Sequence, residues 1–549
     1  MEPPASPIYR YHDGTKHHFT GFARSLGYLD WATQPRPFRT FVGSHSYPLY
    51  PGPQAHAAGY TPVAVDYDSL FQRSPGPIPP SAAAIGDLLR HSLSLSAWKV
   101  FGSSRWSLRV NPSSGNLHPT EAYVVCGRAD GLADTAAVYH YAPDRHALEQ
   151  RCAFDDDALR SVLEGQDAVL VALTSIHWRE AWKYGERAFR YCQHDLGHAI
   201  AAVSLAAAML GWRAQLLPAW SHRDIAALIG IDRDEDFVEA EREEPGCLIL
   251  LTPGVSPPRL VNEPGELLRA VRSGRWTGRA SQLSEDHVQW TFIDEIAAAT
   301  EDHGRDLESL NRESAVWSHD QSPTAAPRPH SPDARSLMLQ RRSAVAFDSR
   351  SSMDADRFFG MLTRVMPTSA PFSTLWWTPR IHFVLFVHRV TGLAPGLYVL
   401  GRDAAGFDRL TRAIQGHVLT DVAHDTLPLL CLGRGDCRSM ARRLSCDQDI
   451  ASDGCFSLGM IAEFDASLLD YGRSFYRHLY WESGVVGQVL YLEAEAAGVR
   501  ATGIGCFYDD PVHEVLGLQG HAFQSLYHFT VGGPVEDTRL TTERGYPWG

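Results

Sequence analysis

One register runs through this chain twice. Phe189-Arg190, Asp195, Gly197, Gly211, Arg213, Ala214 and Gly230 recur as Tyr476-Arg477, Glu482, Gly484, Gly498, Arg500, Ala501 and Gly517, each pair 287 positions apart. Single glycines coincide by chance, but a whole series in one register does not. Both series have the same context: an apolar helix, a stop, and a short β-rich run. Both close alike, with Thr252-Pro253-Gly254 leading to Arg259-Leu260 and Val531-Gly532-Gly533 leading to Arg539-Leu540. A repeat of this length requires two copies of one domain. Joined covalently, the copies are expected to pack as a pseudo-dimer.

Punctuation in the chain sets the boundaries. Residues 320–333 hold four prolines and almost nothing to pack, which reads as a linker. The expected organisation is an N-terminal extension over 1–80, a first domain over 81–319, the linker over 320–333 and a second domain over 334–549. Residues 51–82, rich in Pro, Gly and Ala, read as irregular. Ala199–Leu210 and Val485–Ala497 read as apolar helices capped by Gly211 and Gly498. Ala122–Val125, Ala168–Leu173, Leu248–Leu251 and His382–Val387 read as buried strands. Without strict βαβ alternation the class is α+β rather than a doubly wound sheet.

Composition excludes several functions. Fifty basic against 64 acidic residues, scattered rather than striped, argue against a nucleic-acid partner. The most apolar run is too short to span a bilayer, and Met1-Glu2-Pro3-Pro4 opens no apolar signal segment. Nine cysteines without a C-x-x-C pair fit free thiols in a reducing cytoplasm. Phosphate-binding P-loop, dinucleotide, zincin and hydrolase-elbow motifs are all missing. His194 and His198 have helical spacing for a metal but no third ligand nearby, so no metal is expected.

Three constellations remain. Arg109 precedes a Pro112-Ser113-Ser114-Gly115-Asn116 turn that offers backbone N–H groups, hydroxyls and an amide. Arg341-Arg342-Ser343 follows the linker and would suit a phosphate near a helix start. Thr502-Gly503-Ile504-Gly505-Cys506 leaves backbone open to a flat ring. An ordinary polar turn, a solvated basic helix face and a generic tight turn fit the same residues. Trp376-Trp377 and Phe475-Tyr476…Tyr480-Trp481 fit a core or a stacking wall, Asp509-Asp510 a solvated loop, and Cys446, Cys455 and Cys506 inert buried thiols.

Together these segments resemble the nitroreductase superfamily of FMN-binding proteins, and within it the SagB-type (thiazole/oxazole dehydrogenase) branch. Lys183-Tyr184-Gly185-Glu186-Arg187 resembles the lysine–tyrosine motif of that branch. The resemblance implies two tandem nitroreductase-like domains with FMN at their interface. It implies a composite site in which Ser113, Ser114 and Asn116 of the first copy meet Arg341, Arg342, Ser343, Gly503, Ile504, Gly505 and Arg539 of the second. Arg109 or Lys99 would compensate for Val345, which stands where many relatives carry a basic residue. The reciprocal site is degraded, with His91-Ser92-Leu93, Pro367-Thr368-Ser369-Ala370-Pro371 and Ala214-Gln215-Leu216-Leu217-Pro218 in place of the motifs. One FMN per chain follows.

The resemblance also implies an FMN-dependent oxidase or dehydrogenase acting on a peptide-derived or azoline-like substrate. Lys183 and Tyr184 would handle protons, oxygen would reoxidise the flavin, and other biosynthetic proteins are conceivable partners. An NAD(P)H-dependent nitro or quinone reductase and a non-catalytic flavin-binding scaffold are the alternatives. A monomeric pseudo-dimer and a further homodimer both stay open.

Overall fold

The computed structural model describes residues 6–50, 62–72, 76–253, 261, 263–305, 328, 330–367, 369–422, 424 and 427–548. Linker residues 320–327 and 329 and the closing Gly254, Arg259 and Leu260 of the first copy lie outside them. The helices that place the site are α1 (Ser6–Gly14), α2 (His177–Tyr184), α3 (Ala188–Met209), α4 (Ala334–Gln340) and α5 (Phe475–Ala496). Strands of the first lobe are β1 (Leu95–Phe101), β2 (Ser104–Arg109), β3 (Thr120–Cys126), β4 (Ala137–Ala142), β5 (Ala147–Ala153), β6 (Val169–Ser175), β7 (Arg213–Leu216) and β8 (Glu244–Thr252). Those of the second are β9 (Ile381–Val387), β10 (Gly396–Leu400), β11 (Leu429–Arg434), β12 (Phe456–Glu463), β13 (Arg500–Ile504), β14 (Phe523–Gly532) and β15 (Thr541–Arg544).

The two lobes have one topology. The first sheet runs β5-β4-β3-β6-β8-β7 and the second β11-β10-β9-β12-β14-β13, antiparallel throughout. Each sheet is buried on both faces. A large apolar cluster shared by the lobes covers the inner faces, and a separate cluster covers each outer face. Strands buried on both sides lose their polar alternation, which is why β6 and β9 read as continuous apolar runs. The chain is α+β, two tandem copies forming an intramolecular pseudo-dimer.

Helices α3 and α5 form the seam, and they begin well before the apolar runs seen in the sequence. Their N-terminal halves are polar yet buried, so periodicity alone misses them. Gly211 and Gly498 follow the helices with φ of +73° and +74°, the left-handed stops expected of them. The helices cross on the repeat itself. A Cβ at Gly197 would stand 2.2 Å from Trp481 O and 2.9 Å from Gly484 Cα, and one at Gly484 2.2 Å from His194 O. Only glycine permits this backbone approach.

Both chain ends cross between lobes. β15 pairs with β1, so the C-terminal strand completes a sheet begun by the β1–β2 hairpin of the first copy. Helix α1 bonds to the second lobe through Tyr9 Oη to Asp465 (2.7 Å) and His12 Nε2 with Gln524 Oε1 (2.9 Å). It bonds to the first through Tyr11 Oη to the Glu186 carbonyl (2.5 Å). Ser46–Pro48 adds a strand beside β5. Residues 6–50 therefore clasp the pseudo-dimer. Among the described residues no helix is long and apolar enough to cross a membrane, and none of the nine cysteines is paired in a disulfide.

Candidate functional site

A two-fold seam offers two equivalent clefts, and here they differ. One is an open cavity of about 490 Å³. First-lobe residues Arg109, Ser113, Ser114, Asn116 and Tyr184 meet second-lobe residues Arg341, Arg342, Ser343, Gly503, Ile504 and Gly505 in its walls. In the other, about 20 Å³ remains, walled by Leu216, Leu217, Pro218, Trp376 and His478. The repeat register explains the contrast. Leu216, Leu217 and Pro218 occupy the places of Gly503, Ile504 and Gly505, and His478 that of Tyr191. Trp376 then fills the space, packed edge-on against Trp377, Tyr471 and Phe475 with the Arg305 guanidinium 4.3 Å over its ring. Trp376 thus plugs the closed seam, with Trp377 packed against it.

The open side is built from exact positions. Gly115 has φ of +58°, and a Cβ there would lie 2.5 Å from Tyr184 Oη, so the turn needs glycine both for its backbone and for the tyrosine beneath it. Arg341 is only 3% exposed and donates to the carbonyls of Val110 and Arg109 (both 3.2 Å), tying the lobes together at the cleft. Arg342 donates to Leu339 O and Arg341 O (both 2.7 Å); burial and the Arg341 charge lower its pKa to about 10. Ser343 Oγ bonds Tyr491 Oη at 3.0 Å, and that hydroxyl also accepts the Gly503 N–H at 3.0 Å. Arg500 and Lys99 line the same cleft.

Several expectations are corrected here. Arg341 and Arg342 follow the end of α4 rather than opening a helix, so the helix start expected beside them is not there. Arg539 is exposed, salt-bridged to Asp537 at 2.8 Å, and outside the cleft walls, where Arg500 stands instead. Of the two suggested substitutes at Val345, Lys99 reaches the cleft, whereas the Arg109 guanidinium is committed to Thr120 O (3.2 Å) and Pro37 O (2.7 Å). Lys183 is exposed at the end of α2, its Nζ 5.2 Å from the Tyr184 ring centroid, and only Tyr184 of the expected proton-handling pair lines the cleft. Asp509 is buried between Arg187 (3.0 Å) and Arg190 (2.8 Å) rather than solvated. His194 stacks on Tyr527 at 4.1 Å, and His198 bonds Gln488 and Tyr527, inside the helix crossing.

Sequence reasoning missed an acidic pair. Asp195 lines the cleft and receives the Ser114 N–H (3.0 Å) and Oγ–H (3.0 Å). Glu180 is fully buried behind it and receives Ser113 Oγ–H at 3.5 Å. Burial foremost raises the Asp195 carboxyl to about 7, and burial plus the facing Asp195 push Glu180 well above the usual range. The signal was half present: Asp195 belongs to the repeat, but its counterpart Glu482 is neutralised by Arg402, the Trp377 indole (3.1 Å) and the Arg380 and Ile381 N–H groups.

Carboxyls raised on folding bind extra protons in the native state. Their stability contribution is complete below the unfolded value near 4 and is lost as pH rises towards the folded value near 7. Thermal midpoints should therefore fall between pH 5 and 8. Asp195→Asn keeps an acceptor for Ser114 and gives Glu180 a donor, so that fall should shrink; an unchanged slope by calorimetry would refute the pair's role.

Comparisons with known proteins agree with this architecture. The Nitroreductase family model matches residues 79–240 and 398–533. The curated "Putative nitroreductase MJ1384" of Methanocaldococcus jannaschii is 27% identical over 128 residues, 22% of this chain; the chain spans 63% of that relative's length. A crystal structure of a "putative nitroreductase" from Anabaena variabilis aligns over 96% of this chain and 99% of its own, with TM-score 0.68 and 21% identity. Another from Ralstonia eutropha covers 40% of this chain and 90% of its own at 16% identity and TM-score 0.28. With one family match in each lobe, the chain belongs to the Nitroreductase family.

Proposed function

We propose that the chain binds one FMN in its open cleft and uses it to oxidise a peptide-derived or azoline-like substrate, with oxygen reoxidising the flavin. The observation that carries this reading is the asymmetry of the seam, about 490 Å³ against about 20 Å³. The residues present fit the coenzyme. Lys99, Arg341, Arg342 and Arg500 gather positive charge in the cleft walls. Buried Arg341 Nη1 and Asn111 Oδ1 have no hydrogen-bond partner of their own, and such groups are costly unless a ligand satisfies them. Arg341, Arg342, Ser343 and Arg500 would hold the phosphate; the Ser113–Asn116 turn and the Gly503–Gly505 backbone would hold the ring.

When bound, the flavin supplies two-electron, hydride-accepting chemistry. The chain manages position and protons. Asp195, poised near neutrality, is suited to take a proton from a substrate or return one. Tyr184, half-buried beside the Gly115 turn, orients what lies over it. Lys183 joins this traffic only under a substrate long enough to cover the exposed end of α2, which is why a peptide is favoured over a small nitro compound.

The test is the visible spectrum and flavin content of the purified chain after saturation with FMN. One flavin per chain is expected; two, or none, overturns the reading. Slow or absent anaerobic bleaching by NADPH supports the dehydrogenase, and rapid bleaching the reductase.

A further inference from the structure

Tyr491 belongs to no motif of the sequence, yet two segments of the open cleft meet at its hydroxyl. It stands in the C-terminal part of α5, only 4% exposed, and its side chain forms part of the cleft wall. The Arg341 guanidinium lies 5.0 Å over its ring and Phe529 packs edge-on at 4.8 Å, which fixes the phenol in place. Ser343 and Gly503 flank it, on segments laced to one another. Ala344 N–H donates to Ala501 O at 3.0 Å, and Thr502 Oγ1–H donates to Ala344 O at 2.5 Å. The position 287 residues earlier in the repeat is Ser204, bonded to Thr374 at 2.7 Å, so the first copy carries no phenol there.

The hydrogen bonds at this oxygen fix what it can still do. Ser343 Oγ–H and Gly503 N–H both donate to Tyr491 Oη, each at 3.0 Å. With its accepting capacity taken, the phenol has one O–H left to give, and no acceptor among the described residues receives it. A buried donor left unpaired is costly, so an acceptor is called for in the cleft. Lys99, Arg341, Arg342 and Arg500 in the same walls only donate, and their charge calls for an anion. A phosphate dianion, which accepts and does not donate, meets both demands.

We propose that Tyr491 is a phosphate-binding residue of the cleft, and that Ser343 acts through it rather than on the ligand directly. The assignment rests on the reading that the open cleft holds FMN. Ser343 Oγ–H donates to Tyr491 Oη, and Tyr491 Oη–H donates to a phosphate oxygen. Each bond in such a chain polarises the next, so Ser343 strengthens the donor without being one itself. The Gly503 N–H on the same oxygen ties the glycine loop to the phosphate end of the cleft.

The deflavinated full-length chain is titrated with FMN and with riboflavin by flavin fluorescence, its fold checked by circular dichroism. Tyr491→Phe should weaken FMN about 30-fold, the loss of a donor to a charged group, and riboflavin by less than about threefold. Ser343→Ala should weaken FMN by less than about tenfold, because Tyr491 keeps its proton for the ligand. The phosphorus NMR resonance of bound FMN should move in Tyr491→Phe and stay near the parent's in Ser343→Ala. A parent chain that takes up no FMN overturns the coenzyme reading together with this one. Where the parent binds one FMN, equal losses of FMN and riboflavin in Tyr491→Phe overturn the Tyr491 assignment alone. So does an FMN loss in Ser343→Ala that matches or exceeds that of Tyr491→Phe. Should Tyr491→Phe fail to fold, Ser343→Ala decides by itself, and an FMN loss of about tenfold or more overturns the assignment.

Discussion

Gly197→Val is expected to abolish the folded two-lobed chain. The added Cβ would meet Trp481 O at 2.2 Å and Gly484 Cα at 2.9 Å, backbone on both counts, so no side chain can swing away to accommodate it. Overpacking a core usually costs about 1–3 kcal/mol. Here α3 and α5 must separate along their length, and a cost above ~4 kcal/mol is expected. Against a typical total of roughly 5–15 kcal/mol that leaves little or no native protein. Gly484→Val should behave alike, since its Cβ would stand 2.2 Å from His194 O. Gly360→Ala is the control: no atom lies within 4 Å of its Cβ, and its helical setting makes it neutral or stabilising by up to about 1 kcal/mol. Soluble yield and thermal midpoint by circular dichroism decide it. A Gly197→Val chain melting within a few degrees of the parent would mean that the crossing does not hold the lobes together.

The crossing also marks what the sequence makes legible. Where backbone touches backbone only glycine serves, so Gly197 and Gly484 stay visible at their constant spacing, and Gly115 is visible as part of a turn, though not the Tyr184 ring packed beneath it. Strands β6 and β9 declare themselves because both faces are apolar. The bringing together of the Ser113–Asn116 turn and the Arg341–Ser343 segment was implied by the family resemblance, which places the two motifs on different halves of a dimer. What stayed hidden depends on environment rather than residue type. Arg190, Asp195 and Arg477 look like surface residues and are buried. Glu180 and Asp195 become a pair only once α2 turns back on α3. The resemblance to the lysine–tyrosine motif pointed to Lys183 together with Tyr184, yet adjacent helical positions face different ways and only Tyr184 reaches the cleft. The placing of α1 on both lobes had no signal, because its buried Ile8 and Tyr11 and its hydrogen bonds meet residues far away in the sequence.

Arg342→Glu is expected to weaken FMN binding about 100-fold, by roughly 3 kcal/mol, because it removes a charge-assisted donor and sets a carboxylate among the remaining cations. Arg342 stands with Arg341 and Arg500, whose charges depress its own pKa along with burial, and it helps depress that of Lys99. Glu536, bonded to Arg500 at 2.5 Å, offsets part of this charge. A dianionic phosphate would complete the balance, whereas the neutral ring of the coenzyme has no use for it. Riboflavin, which lacks the phosphate, should therefore bind the Arg342→Glu chain as well as it binds the parent, separating lost phosphate recognition from a collapsed cleft. Arg539→Glu should change FMN affinity by less than about twofold, since that exposed side chain already pairs with Asp537 and does not itself line the cleft. Titrations of deflavinated protein, followed by flavin fluorescence, give all three numbers. Undiminished FMN affinity in Arg342→Glu, or an equal loss in Arg539→Glu, would move the phosphate to another part of the cleft.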